Sequence, residues 1–398
     1  MAIWLICAIG AGFKKFLDFP VSTVIEFIFV KSLPFPAITI CNYNQFRKSE
    51  VFKQDPVLQD ILYYFATNDN DFKIDWDRYD ELYGDSPWNL TQTAIESGHQ
   101  LESMLINCRW NRGENCGPQN FTTKITGFGV CFTFNDNFKP GKRLHVTEAG
   151  QSQGLRLILS TEQDNYFWGD YLGAGFKVFA HSPGAYPLVN EFGISVTPGF
   201  ETSIALKSTI TKTLSYPYKA NCSDVQLKYT GEYSSERCFF ECHVEYISKQ
   251  CGCRYYKFPG SERLCDPKEI ALCVKPAIRD TAVFTSPCEC PVSCRYESYS
   301  SKISLAKWPS EFAVSKTASH YNVTEDTVRN NYLEINIFFD APGYEEIRQV
   351  PIYTFLDLQS DIGAYMGLLL GASIISLFEV FDCVMALASQ RYRRPPTS

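Results

Sequence analysis

Two carboxylates, Glu379 and Asp382, are the only charged side chains in a 28-residue apolar stretch, 362–389. Acids in such a run are costly unless they face water, and there they concentrate cations. The same run carries Gly371-Ala372-Ser373 near its middle. Small residues let chains approach closely, and irregular backbone at membrane depth is tolerated only where it is buried or lines water. Ala372, Ser376, Glu379 and Cys383 recur at i, i+4, i+7 and i+11, one helical stripe, with Asp382 nearby on that face. The chemistry these residues fit is cation passage. A plain anchor with small residues at a dimer face is the simpler alternative, but an anchor needs no acids.

The cysteines form the second group. There are 16, ten of them within 222–294. Cys251-Gly252-Cys253 and Cys288-Glu289-Cys290 have one-residue spacing, whereas structural zinc favours two to four. Disulfides are therefore expected, with no metal and no cofactor. Cys7 and Cys383 sit in apolar segments and read as free thiols, which leaves an even number outside them. Fourteen cysteines allow roughly 135,000 pairings, so spacing assigns none of them. Glycosylation sequons at Asn89, Asn120, Asn221 and Asn322 agree with an oxidising, extracellular setting.

These groups need elements to position them. At ~1.5 Å per residue the C-terminal stretch is ~42 Å long as a helix, more than the ~30 Å hydrocarbon core requires. Arg391, Arg393 and Arg394 follow it, as on a cytoplasmic flank. The N-terminal MAIWLICAIGAGF covers only ~20 Å. It reads either as a signal peptide, with Ala8, Gly10 and Ala11 near cleavage, or as the outer half of a membrane helix that starts outside this sequence.

Strand-like runs occur at 22–30, 35–41, 154–160, 175–181 and 332–339. The last alternates Leu333, Ile335 and Ile337, which predicts a half-buried strand. Helices are expected over 234–253, over 266–273 with Asp266 as cap and Pro267 and Glu269 behind it, and over 322–331 with Thr324 as cap. The net charge of −7 and the absence of a basic block exclude nucleic acid as the main partner. No P-loop, G-x-S-x-G or H-E-x-x-H occurs, so no enzyme is expected.

Four stretches in order resemble the degenerin/epithelial sodium channel family, which includes acid-sensing and peptide-gated channels. FPAITICNYNQFRKS (35–49) is similar to its signature after the first membrane helix, and VTPGFETSI (196–204) to its palm-strand motif. The cysteine order over 222–294 follows its thumb, and SDIGAYMGLLLGASIISLFEVFD (360–382) resembles its second membrane helix.

The resemblance implies a membrane protein with two transmembrane helices and a large disulfide-rich α+β extracellular domain of palm, β-ball, finger, thumb and knuckle. It implies a trimer of identical or related subunits among plasma-membrane lipids. On this reading 1–18 is a first, truncated membrane helix and 19–358 the extracellular domain, with the thumb at about 222–300. Residues 359–390 are then the pore helix and 391–398 a cytoplasmic tail. Gly371, Ala372 and Ser373 would form the selectivity filter. Ser360, Asp361, Gly363, Gly367, Ser376, Glu379 and Asp382 would line the pore. Phe19, Pro217 and Tyr218 would couple thumb to membrane.

The implied disulfides are Cys41–Cys131, Cys108–Cys116, Cys222–Cys294, Cys238–Cys290, Cys242–Cys288, Cys251–Cys273 and Cys253–Cys265. The implied function is a sodium-selective, amiloride-sensitive channel gated by a peptide or by protons, with sodium as the permeant ion. A cysteine-rich single-pass receptor or adhesion protein is the alternative.

Proton gating has little support here. The segment 167–175 holds only Asp170, where the acid-sensing branch carries an acidic insertion. Phe19-Pro20-Val21 also stands where that branch has a histidine. His99, His145, His181, His243 and His320 read as structural. The acidic stretch 68–85 reads as a solvated surface, a divalent-ion site, or a dock for a cationic peptide.

Overall fold

The computed structural model describes residues 2–67, 69, 72–84, 88–136, 143–279, 288–371 and 374–392. It divides into two compact units. The larger comprises Glu26–Thr211 and Ser223–Glu346, and the smaller Met1–Ile25, Lys212–Cys222 and Ile347–Ser398.

A seven-stranded sheet organises the larger unit. Its order is Arg295–Lys307, Phe200–Lys212, Tyr332–Pro351, Leu155–Ser160, Leu105–Trp110 and Glu114–Asn115, with Val21–Phe29 joined to Tyr332–Pro351 off that path. At Gly343 the backbones come so close that a Cβ would lie 2.2 Å from Ile28 O, so only glycine fits. A five-stranded sheet runs Ile194–Val196, Phe176–His181, Ala37–Asn42, Gly129–Phe134, Phe121–Thr126. Phe35, Ile38, Ile40, Phe134, Leu157, Phe176, Leu333 and Ile335 close one core around these strands.

The half-buried expectation for 332–339 is corrected. Glu334 and Asn336, on the opposite face from Leu333 and Ile335, are also buried. Glu334 lies across from Ile158, and Ile158 packs with Ala318 of the helix Glu311–Tyr321 and Val328 of the helix Glu325–Asn331. The second face is therefore covered. Arg156 Nε, 2.6 Å away, answers the Glu334 charge, and Asn336 Nδ2 donates to Glu201 at 2.8 Å. A buried carboxylate needs such partners.

A second core joins residues of 46–94 to residues of 247–277. The helix Pro56–Ala66 starts where Asp55 accepts from Val57 N with Pro56 at the first turn. Its spacing puts Leu58, Ile61, Leu62 and Phe65 against Tyr255, Tyr256, Ile270 and Val274. Each such burial stabilises by about 1.5–3 kcal/mol. The helix Ser235–Cys251 is capped by Ser234 and ends at Gly252. Asp266 and Glu269 form a reciprocal capping box, and Thr324 caps Glu325–Asn331.

Disulfides tie these pieces. Cys41 joins Cys131, Cys108 joins Cys116, Cys238 joins Cys290, Cys242 joins Cys288, Cys251 joins Cys273 and Cys253 joins Cys265. These are pairs the resemblance implies. Cys222 and Cys294 are disulfide-bonded as well, while Cys7 and Cys383 are free thiols.

Candidate functional site

The smaller unit holds the residues that the resemblance implies line a pore. The helix Ala2–Leu17 packs on the helix Phe355–Leu370. Gly12 permits this, because a Cβ there would lie 3.2 Å from Leu358 Cδ1. Thr354 and Asp357 form a capping box that sets where the second helix begins. One turn later Asp361 accepts a 2.7 Å hydrogen bond from the Tyr353 hydroxyl, and Lys15 Nζ lies 4.3 Å from the Tyr353 ring centroid. The Asp361 carboxylate is thus held in place from below the helix start.

Gly371 ends this helix. It has φ +62°, and its N–H reaches Gly367 O at 3.1 Å. This left-handed cap is a conformation glycine adopts without steric penalty. The chain resumes helix at Ile374–Tyr392. The interruption therefore falls at the expected filter. Ala372 and Ser373 lie outside the described residues. Ser360, Glu379, Asp382 and Cys383 are exposed on the single chain, and no atom comes within 4 Å of a Cβ built at Gly363 or Gly367.

The break also changes the expectation of a continuous span. Among the described residues no helix is long and apolar enough to cross a membrane. The apolar stretch is divided between a 16-residue and a 19-residue helix, and the second contains both acids. Large apolar side chains nevertheless stand exposed on all three helices, including Trp4 (76%), Leu368 (84%) and Phe378 (67%). Surfaces of that kind belong against lipid or protein.

Phe19 and Tyr218, expected to couple thumb to membrane, meet within this unit. The rings of Phe19 and Tyr218 are 5.7 Å apart, those of Phe16 and Phe19 5.8 Å, and those of Phe16 and Phe355 6.2 Å. Pro217 immediately precedes Tyr218, and Leu214 N donates to Gln349 Oε1 at 3.2 Å. A row of aromatic rings thus joins the segment Lys212–Cys222 to the start of Phe355–Leu370.

The histidines have structural partners. His181 Nδ1 lies 2.9 Å from Ser182 O and so carries the proton, leaving Nε2 to accept from the Thr39 hydroxyl at 2.8 Å. Burial holds this ring down to about 3, and it is neutral. His99 Nδ1 meets Glu162 at 2.7 Å. Burial lowers His243. In the acidic stretch 68–85, Asp75 caps the helix Trp76–Tyr83, Glu81 pairs with Arg78, and Asp80 pairs with Lys268 at 2.6 Å. Asn89, Asn120, Asn221 and Asn322 are all exposed.

Among the described residues the one cluster with metal-ligand proximity is Cys253, Cys265 and Glu269. Its two sulfurs are bonded to each other, and Glu269 is held by Arg263, so no thiolate remains to bind an ion. Sequence reasoning missed a cavity of about 400 Å³ in the larger unit, lined from Gln45 to Arg279 and containing Lys257 and Lys275. No local motif marks it, because its wall comes from segments far apart in the chain.

Comparison with known proteins places this geometry. The family model for the amiloride-sensitive sodium channel matches residues 1–383. Acid-sensing ion channel 1C of Danio rerio is 31% identical over 92% of this chain and 73% of its own length. Acid-sensing ion channel 1 of Gallus gallus is 30% identical over 98% of this chain and 80% of its own. Acid-sensing ion channel 2 of Homo sapiens is 32% identical, covering 93% and 76%. The matched residues include the helix interruption, the acids around it and the disulfide-bonded cysteines, and the family is one of ion channels, not enzymes: the chain belongs to the amiloride-sensitive sodium channel family.

Proposed function

We propose that the chain is a subunit of a trimeric, sodium-selective, amiloride-sensitive channel of the plasma membrane, opened by an extracellular ligand, either a peptide or protons. The observation that carries this reading is the helix interruption at Gly371, with Asp361 ten residues before it and Glu379 and Asp382 after it. Repeated around a three-fold axis, the break would bring three narrow turns together between rings of carboxylate. Carboxylate rings concentrate cations, and a constriction of small residues selects among them. Membrane lipid covers the outward apolar side chains in this arrangement. The thumb, stapled by disulfides, acts as a lever, and the aromatic row ending at Phe355 carries its movement to the pore helix.

The test is whole-cell current from the expressed chain with Ser360 replaced by a bulky residue to hold the pore open. A standing current that falls when bath sodium is exchanged for potassium and is blocked by amiloride is the expected result. Surface-expressed trimers that pass no current, alone or with related subunits, would overturn the reading.

A further inference from the structure

The cavity in the larger unit has an unusual charge arrangement. Lys257 and Lys275 are 6% and 8% exposed, and both line it. Lys257 Nζ has three N–H bonds and, among the described residues, one acceptor, Gln45 Oε1 at 2.8 Å. Lys275 Nζ donates to the carbonyls of Tyr64 and Thr67, the latter at 2.9 Å, and lies 4.0 Å from the Tyr64 ring centroid. All of these partners are neutral. Buried ammonium groups ordinarily have an anion beside them, because desolvation penalises an uncompensated charge. Burial, then the neighbouring Lys275 charge, pushes Lys257 down to about 7. Burial, then Arg279, pushes Lys275 down to about 8. The cations repel one another, and the Asp170 carboxylate offsets them only in part.

The remaining lining defines what that anion is. Arg279 adds a third cation, and Asp170 and Glu191 are the carboxylates in the wall. Three cations against two carboxylates leave one net positive charge, which suits a monoanion better than a doubly charged phosphate. Phe65, Phe240, Ile247, Tyr255 and Phe258 supply an apolar, aromatic surface. The volume falls in the range of small-molecule sites, ~300–1,000 Å³. From this geometry we infer that the cavity binds an organic monocarboxylate with an apolar or aromatic body, its carboxylate on Lys257 and Lys275 and its body against Phe240 and Tyr255. The carboxylate can belong to a free acid or to the C-terminus of a peptide. The inference goes beyond the channel reading and does not depend on it.

The experiment is calorimetric titration of the purified full chain, in detergent, with 3-phenylpropionate and with acetyl-alanyl-phenylalanine, each beside its amide. Saturable binding of the acids, at least tenfold tighter than of the amides, is expected. Tighter binding of the dipeptide than of the free acid assigns the site to a peptide end, and the reverse assigns it to a small acid. Lys257→Gln and Lys275→Gln should each weaken acid binding about tenfold and leave amide binding unchanged. Amides that bind as tightly as acids, or no saturable binding by either acid, would overturn the assignment. The acid–amide comparison uses the unaltered chain, so it decides the matter even if a variant fails to fold. Binding is read without current, so its failure and that of the channel reading are separate results.

Discussion

The rings of Phe19 and Tyr218 meet edge to face, with centroids 5.7 Å apart and planes at 77°. Such pairs contribute about 0.5–1.5 kcal/mol beyond their area burial. Phe19→Ala and Tyr218→Ala should therefore be non-additive by about that amount in a double-mutant cycle. The readout is the thermal midpoint of the purified chain. Strictly additive losses would make the two rings bystanders, and the proposed link from thumb to pore helix would lose its contact.

Gly371 supplies a second prediction. Its φ of +62° costs a residue with a Cβ about 1–2 kcal/mol, and no atom lies within 4 Å to obstruct the side chain. The penalty of Gly371→Ala is thus conformational and not steric. Sodium current should fall at equal surface expression, and Gly371→Asn should retain more of it, since asparagine tolerates the left-handed region. Equal currents from both variants and the parent would show that the turn does not shape the filter.

Glu162 governs a third. Burial alone raises its pKa, but hydrogen bonds from His99 and Ser103 outweigh burial, and the folded-state value lies below 4.5. A depressed carboxylate contributes stability that is present above the unfolded-state pKa and is lost as pH falls through the folded one. Glu162→Gln should destabilise at pH 7 by about 1.5–3 kcal/mol, the range for a charged hydrogen bond. Its deficit relative to the parent should shrink below pH 4.5. Thermal midpoints between pH 3 and 7 check both statements, and a deficit that does not change with pH would contradict them.

Lys257 gives a slope of the same sign in a higher window. Its folded-state value near 7 lies below the ordinary 10.5, so between those values the unfolded chain binds more protons. Stability should then rise with pH across that window. Lys275, held near 8, adds a second contribution from about 8 to 10.5. Lys257→Met should raise the thermal midpoint at pH 7 in ligand-free protein and flatten the rise between pH 7 and 10. A steeper rise in the variant would show that Lys257 is not the group responsible.

Local chemistry was legible in the sequence. Asp266, Pro267 and Glu269 announce a helix start because capping needs only neighbouring residues, and Thr324 does the same. The apolar strands are legible for the same reason. The interruption at Gly371 was legible only through family likeness, because glycine occurs as readily in continuous helices between packed chains. Alternation in 332–339 shows which side chains share a face, but not that two helices cover the other face, so the burial of Glu334 escaped it. The cavity escaped altogether. Lys257 and Lys275 are 18 residues apart in sequence, and their depth depends on the helix Pro56–Ala66 sharing a core with residues of 247–277.

Four disulfides between residues 238 and 290 enclose one another. Cys238–Cys290 spans 52 residues, Cys242–Cys288 46, Cys251–Cys273 22 and Cys253–Cys265 12, each lying wholly inside the one before. Drawn flat, the four links never cross, like rungs in a nucleic-acid stem. A chain made from its N-terminus presents four thiols in a row and then receives their partners in reverse order. The last one waiting is the first one answered. At each arrival the correct partner is the nearest unpaired thiol among these four pairs, so order of appearance alone favours the native set, and no outer thiol has to thread a ring that has already closed.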